Sequence, residues 1–226
     1  MTKKLSLDGL QFETTKVKVS ENIITITLNR PHKKNAINEV MMNEVNYALA
    51  YAKQERSIRV VVIDAEGDVF CAGADLSREK SSSNVPKLDF ADDISLSLRH
   101  IYKPVISKIQ GSVLAGALLM VANSTHAIAV KDAKFTLAYT NAGLSPDGSS
   151  TYYLPRIVGV KRAKELMLTN RLFSAEEAYD MGLIDLVVNS NEELNEALNT
   201  QAEVFSKGPI NAYKSVKKLL NESFHN

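Results

Sequence analysis

Two short stretches of small residues have the composition needed to present backbone amides to a ligand. In "FCAGADL" (residues 70–76), Ala72, Gly73 and Ala74 follow a predicted strand, a setting in which N–H groups can approach a bound oxygen closely. In "GSVLAGALLMV" (111–121), Gly116 precedes an apolar helix, and the first amides of a helix have no partner within it. Two such amides converging on one oxygen would form an oxyanion hole. Close packing of strand against helix explains the same small residues, so both interpretations stay open.

A single carboxylate, Asp147, stands in "LSPDGSS" just ahead of another apolar helix. A carboxylate in a partly apolar setting can act as a general base. Pro-Asp-Gly is also ordinary turn chemistry, and an Asp before a helix can accept hydrogen bonds from its free amides. Because Ser149, Ser150 and Thr151 could cap the helix equally well, the cap does not require Asp.

Composition excludes several classes of function. The chain has 226 residues, 45% of them hydrophobic, and its 27 Lys and Arg nearly balance its 26 Asp and Glu. Without a dense basic block, the sequence predicts no nucleic-acid or membrane partner. No apolar run has the length of a signal peptide core or a membrane span. The lone Cys71 excludes an internal disulfide and favours a cytoplasmic location. The four histidines lack metal-ligand spacing, so we expect no metal.

The elements that must position these residues alternate between strand and helix. Alternating polarity around Glu21 and Asn22 predicts a hairpin that ends at Pro31, and a helix and a buried strand follow. We then expect one strand over 104–113, a short helix, a hairpin-like pair over 126–138, three short helices, a strand, and helices at 191–206 and 209–223. This order predicts a layered α/β fold.

The same pattern divides the chain into a core and a C-terminal region, and the sequence also contains one polar stretch. Residues 1–190 are predicted to form the core, and residues 191–226 a short C-terminal helical region. The polar stretch "SREKSSSNVPK" (77–87) reads as a surface loop that either covers a substrate entrance or is simply solvated.

Five motifs in order resemble the crotonase (enoyl-CoA hydratase/isomerase) superfamily. They are "NRPHKKNAIN", "VFCAGADL", "GSVLAGALLMVAN", "AGLSPDGSSTYYLPRIVG" and "ELMLTNRLFSAEEAYDMGLIDLVV", and the likeness extends from about Lys16 to Lys218. The resemblance implies a spiral of strand-strand-helix units that binds a coenzyme A thioester and stabilises its enolate.

The resemblance also implies roles for individual residues. The amides of Ala74 and Gly116 would form the oxyanion hole. Coenzyme A contacts would come from Lys33, Lys34, Ala72, Asp75 and Leu76, and the acyl pocket would include Leu119, Tyr139 and Leu144. No cofactor is implied beyond the coenzyme A of the substrate. The expected assembly is a homotrimer or hexamer, weakened if the helices with which family members usually continue beyond this point are missing.

The carboxylates indicate which reaction to expect. Hydratases of the family use two glutamates, and the matching positions here look like Leu119 and Tyr139. Asp147 lies where isomerases and aryl-CoA dehalogenases of the family carry an aspartate. One carboxylate suffices to move a proton between two carbons, so we predict a Δ3-Δ2 enoyl-CoA isomerase.

Two alternatives remain for this site. A dehalogenase-like or hydrolase-like enzyme with a nucleophilic aspartate would need a second base, and the matching region offers Asp92 and Asp93 but no histidine. A non-catalytic acyl-CoA binding protein would retain the binding site without catalysing a reaction.

Overall fold

The computed structural model describes residues 4–75, 77, 83–88, 93–146 and 149–223, and its strands form two sheets. The six-stranded sheet has the order β1-β2-β3-β5-β7-β10 and the four-stranded sheet the order β4-β6-β8-β9. In chain order the strands are β1 Thr15–Ser20, β2 Ile23–Leu28, β3 Val60–Ala65, β4 Val69–Cys71, β5 Val105–Ile109, β6 Ser112–Leu114, β7 His126–Val130, β8 Lys134–Thr136, β9 Phe173–Ser174 and β10 Leu186–Val188. The helices are α1 Glu39–Gln54, α2 Ile94–His100, α3 Ala117–Ala122, α4 Ser150–Val158, α5 Val160–Thr169, α6 Ala175–Asp180, α7 Asn191–Lys207 and α8 Ile210–Ser223.

The chain builds these sheets as a spiral. After the antiparallel pair β1 and β2, each turn supplies one strand to the six-stranded sheet, one to the four-stranded sheet and then a helix. The turns are β3-β4-α2, β5-β6-α3 and β7-β8-α4. Equivalent strands of successive turns pair in parallel. The α/β fold with repeated strand-strand-helix units is therefore confirmed.

The sequence patterns account for most of these elements. Alternation in β2 places Ile24, Ile26 and Leu28 in the core. Helix α1 begins where the Asn38 side chain accepts a hydrogen bond from the Met41 amide. Helix α6 begins with a capping box formed by Ser174 and Glu177.

Two of the strand predictions were wrong. Residues 104–113 do not form one strand but two, β5 and β6, which belong to different sheets. The chain bends between them at Gly111, where a Cβ atom would lie 1.9 Å from the Asp68 carbonyl oxygen. Likewise, residues 126–138 are not a hairpin, because β7 and β8 each pair with strands of other turns.

The C-terminal helices differ in their burial. Helix α7 packs on the six-stranded sheet through Leu194 and Ala202, whereas α8 has no buried residue. The predicted boundary near residue 190 stays a prediction. Within the described ranges, no helix combines the length and apolar character needed to cross a membrane.

Candidate active site

The two amide-bearing stretches meet at one edge of the four-stranded sheet. Strands β4 and β6 run parallel, with Cys71 paired to Val113, so the residues that follow them leave the sheet side by side. A Cβ atom on Gly73 would lie 2.8 Å from the Ala115 Cβ and 3.6 Å from the Gly116 nitrogen. Residues 72–74 and 114–116 are therefore in direct contact, as the oxyanion-hole interpretation requires.

The backbone on both sides of this contact is unusual. Gly73 has φ +89° and Ala115 has φ +50°, a region that disfavours residues with side chains. The Cys71 thiol accepts a hydrogen bond from the Gly73 amide at 3.4 Å and donates one to the Asn35 carbonyl at 3.1 Å. Burial raises the pKa of this thiol to about 12, so it remains a neutral structural group.

The Ala74 amide is turned away from the neighbouring loop. Ile37 forms a parallel bridge with Ala74, in which the Ile37 amide binds the Gly73 carbonyl and the Ile37 carbonyl accepts from the Asp75 amide, both at 2.8 Å. In such a bridge the residue opposite directs its own N–H to the other side. Among the hydrogen bonds of the described residues, neither the Ala74 nor the Gly116 amide is used as a donor.

A buried ion pair holds the loop at residues 30–37 against this stretch. Arg30 Nη1 lies 2.8 Å from Asp75 Oδ2, and their side chains are only 5% and 7% exposed. The same guanidinium nitrogen donates to the Ala36 carbonyl. Hydrogen bonds from Ser77, together with Arg30, lower the pKa of Asp75 to about 2. The Asp75 carboxylate is thus a permanent anion that joins the two loops.

The Asn35 side chain also holds this loop in place through hydrogen bonds. This fully buried side chain accepts from the Arg30 amide and donates to the carbonyls of Glu66 and Val69, each at 2.8 Å. Our sequence reasoning did not identify the supporting roles of Arg30 and Asn35. Both belong to the quoted stretch "NRPHKKNAIN", but nothing in their spacing indicates which distant atoms they bind.

The predicted coenzyme A residues lie around this edge in different ways. Lys33 and Lys34 are exposed on a short 3-10 helix and the residue after it, and the Lys34 carbonyl accepts from the Ala72 amide at 3.0 Å. The Asp75 side chain is engaged with Arg30 and Ser77. Leu76 and the predicted catalytic Asp147 lie outside the described residues, as do residues 78–82 of the polar stretch at 77–87.

The predicted acyl-pocket residues are distributed over two neighbouring elements. Leu119 lies in α3, one turn after Gly116, and is buried. Tyr139, also buried, follows β8, which is parallel to β6, so its segment leaves the same sheet edge. Leu144 is 49% exposed, and its amide donates to the Tyr139 carbonyl at 3.0 Å. The structure thus brings segments 72–74, 114–116 and 137–139 to one edge.

The described part of the chain contains no cluster of side chains suited to a metal ion. Its His, Cys, Asp and Glu side chains form no group of three that would hold a metal ion. The expectation that the site needs no metal or other cofactor stays a prediction.

The spiral fold and the paired strand-end amides define a crotonase-fold protein. Residues 18–226 match the Enoyl-CoA hydratase/isomerase family, and the chain belongs to it. A structure of enoyl-CoA hydratase from Mycobacterium smegmatis superposes with a TM-score of 0.84 at 27% identity, covering 95% of this chain and 84% of the other. The resemblance found in the sequence is thereby confirmed.

Relatives named for different activities have similar sequence identities to this chain. A probable enoyl-CoA hydratase of Rhodobacter capsulatus is 33% identical, over 96% of this chain and 84% of its own length. The 4-chlorobenzoyl coenzyme A dehalogenase-2 of an Arthrobacter species is 32% identical, over 91% and 77%. A trans-2-decenoyl-[acyl-carrier-protein] isomerase of Streptococcus mutans is 28% identical, over 95% and 84%. The chain is thus similar to isomerases, hydratases and dehalogenases alike.

Proposed function

We propose that this protein is a Δ3-Δ2 enoyl-CoA isomerase. The observation that carries the proposal is the contact between residues 72–74 and 114–116, which leaves the Ala74 and Gly116 amides available at one edge of a sheet. A thioester oxygen bound by both amides would be stabilised as it gains negative charge. One donor of this kind typically contributes on the order of 100- to 1000-fold in rate.

The proposed reaction needs a single proton carrier. Asp147 would take a proton from C2 of a 3-enoyl thioester, and the electron pair would move onto the thioester oxygen to give a dienolate. The same carboxyl group would return the proton at C4, which leaves the double bond between C2 and C3. No water, metal or redox cofactor enters this balance.

The side chains at the site favour isomerisation over hydration. Hydration needs one group to activate water and another to deliver a proton. Leu119 and Tyr139, at the positions where the resemblance places the two hydratase glutamates, are both buried and carry no carboxylate. Two relatives are also named as isomerases. They are the Streptococcus mutans protein described above and the 1,2-epoxyphenylacetyl-CoA isomerase of Escherichia coli, which is 30% identical to this chain.

The similarity to a dehalogenase gives a second candidate, in which Asp147 would attack an aryl-CoA ring. That reaction needs a base to activate water. The Asp93 carboxylate accepts from the Ser95 amide as the cap of α2, and His100 ends α2 beside Lys53 of α1. Neither side chain has the setting expected of a base at the strand-end site, and Asp92 lies outside the described residues, so we rank this candidate second.

The remaining parts of the proposal concern binding and location. Lys33, Lys34, Ala72 and the segment containing Asp75 and Leu76 would contact coenzyme A, and Leu119, Tyr139 and Leu144 would contact the acyl group. We propose a homo-oligomer acting in the cytoplasm, with no resident cofactor.

The test is spectroscopic conversion of a 3-enoyl-CoA to its conjugated 2-enoyl isomer. We expect wild type to isomerise and not to hydrate 2-enoyl-CoA, and Asp147→Asn to lose about 100-fold or more in kcat. Asp132→Asn, an exposed aspartate in the turn between β7 and β8, is the matched control and should behave as wild type. Wild type that binds coenzyme A esters without isomerising them would refute the proposal and favour an aryl-CoA reaction or a binding role.

A further inference from the structure

A concave site lies between α1 and α2. It has a volume of about 920 Å³ and is bounded by α1, α2, the segment 86–88 and the N-terminal residues Lys4 and Leu5. This volume is in the range of small-molecule pockets. None of the residues at the strand-end site lines it.

Hydrogen bonds fix the two ends of this α1–α2 groove. At one end, Asn43 Nδ2 donates to the Val85 carbonyl at 3.0 Å, which places the segment 86–88 beside the first half of α1. At the other end, the Leu5 amide donates to Gln54 Oε1 at 2.7 Å, which places Lys4 beside the end of α1. From Tyr47 to Gln54 the helix extends about 10 Å, so the groove is elongated.

The walls between these ends are mainly apolar. Ala50 of α1, Leu88 of the neighbouring segment and Leu96 of α2 line the groove and are partly exposed, whereas the lining residues Tyr47 and Leu49 are almost fully buried. Leu96 is 41% exposed, which is a cost for a large apolar side chain unless something covers it. A hydrocarbon chain lying along the groove would remove these surfaces from water.

Among the described residues that line the groove, the charged side chains are all basic. Lys4, Lys53 and Lys87 line it together with His100, and no Asp or Glu occurs among its described lining residues. Partial burial and the charges of Lys53 and Arg99 lower the pKa of His100. Glu55 lies near Lys4, but its carboxylate accepts hydrogen bonds from the Ser57 amide and hydroxyl and does not line the groove.

We propose that the α1–α2 groove binds a long-chain fatty acid. The hydrocarbon lies along Tyr47, Ala50 and Leu96, and the carboxylate sits at the end formed by Lys4, Lys53 and His100. A neutral hydrocarbon would leave these cations without a partner, and a small anion would leave the apolar walls uncovered. The proposal does not depend on the isomerase reaction, because the groove is separate from the residues assigned to it.

The test uses dodecanoate below its micelle concentration and calorimetric titration of the whole protein. We expect saturable binding of one dodecanoate and at least about tenfold weaker binding of dodecanol, which lacks the charge. Lys53→Gln should weaken dodecanoate binding by about tenfold, the size of one lost hydrogen bond to a charged group. Leu96→Asp, which adds a like charge at an exposed position, should weaken it further. Lys18→Gln, at an exposed lysine of β1, is the matched control and should bind as wild type.

Nuclear magnetic resonance of the histidine rings gives an independent measurement. A carboxylate beside His100 favours its charged form, so bound dodecanoate should raise the pKa of this ring. Saturating coenzyme A ester should leave dodecanoate binding unchanged. If the Lys53→Gln and Leu96→Asp variants bind dodecanoate as tightly as wild type, the proposal is overturned. Complete displacement of dodecanoate by the coenzyme A ester would also overturn it. Neither result would affect the isomerase assay.

Discussion

Arg30 and Asp75 show how much of the site depends on single side chains that perform no chemistry. Their ion pair joins the loop at 30–37 to the stretch that carries the Ala74 amide. Both side chains are nearly inaccessible to water, and removing one partner of a buried pair leaves the other charge uncompensated. These two residues therefore stabilise the site and position the proposed donor, the Ala74 amide.

We predict that Asp75→Asn destabilises the protein by about 3–5 kcal/mol, the usual effect of breaking a buried ion pair. The pKa of Asp75 is lowered from 3.8 to about 2 in the folded protein, so its ionised form contributes stability above pH 4. That contribution is lost as the pH falls from about 4 to about 2. Urea unfolding of both proteins should show a constant difference between pH 5 and pH 7 that shrinks towards pH 2. A difference that grows on acidification would contradict this assignment.

At the scale of elements, the contact between the ends of β4 and β6 determines where the two proposed oxyanion donors lie. Gly73 packs against Ala115 so closely that only a residue without a side chain fits, and its positive φ has the same requirement. A backbone amide cannot be removed by substitution, but its position can be changed through this contact.

We predict that Gly73→Ala reduces kcat of the proposed isomerisation by about 100-fold or more, because the added Cβ would lie 2.8 Å from Ala115 and displace the Ala74 amide. Gly182→Ala is the matched control, since Gly182 also has a positive φ of 74° but has open space around its Cα. Steady-state kinetics and thermal unfolding of both variants separate the two effects. If both lose the same activity, backbone strain rather than donor position is responsible.

Local patterns predicted elements better than they predicted partners. The alternation in β1 and β2 involves residues that are neighbours in the chain, so the sequence alone indicated this hairpin. The assignment of β5 and β6 to different sheets depends on Gly111 meeting Asp68, which is distant in the chain. In the site, the small residues at 72–74 and 115–116 were found from composition, whereas the bonds of Asn35 and Arg30 depend on tertiary contacts that no short pattern encodes.

At the scale of the whole molecule, the surface of α8 is the feature that needs an explanation. Val216, Leu219 and Leu220 are 55%, 65% and 57% exposed and lie on one side of the helix. A contiguous apolar face of this kind commonly marks an interface between subunits. It agrees with the proposed homo-oligomer.

We predict that Leu219→Glu reduces the assembly state, because a carboxylate at the centre of this face would be buried without a partner. Light scattering after size-exclusion chromatography should show an oligomer for wild type and smaller species for the variant. Lys214→Glu, an exposed change on a different side of α8, should leave the mass unchanged. Wild type that stays a single chain at concentrations of tens of micromolar would contradict the prediction.

The parallel arrangement of β4, β6 and β8 has a consequence for how this molecule can change over evolutionary time. Each strand contributes to the sheet through its backbone, while the residues that the proposal assigns to the substrate come after the strand has ended. A substitution at Leu119 or Tyr139, which the proposal assigns to the acyl pocket, would therefore leave strand pairing undisturbed. This separation explains how sequences about equally distant from this chain carry names as different as hydratase and dehalogenase.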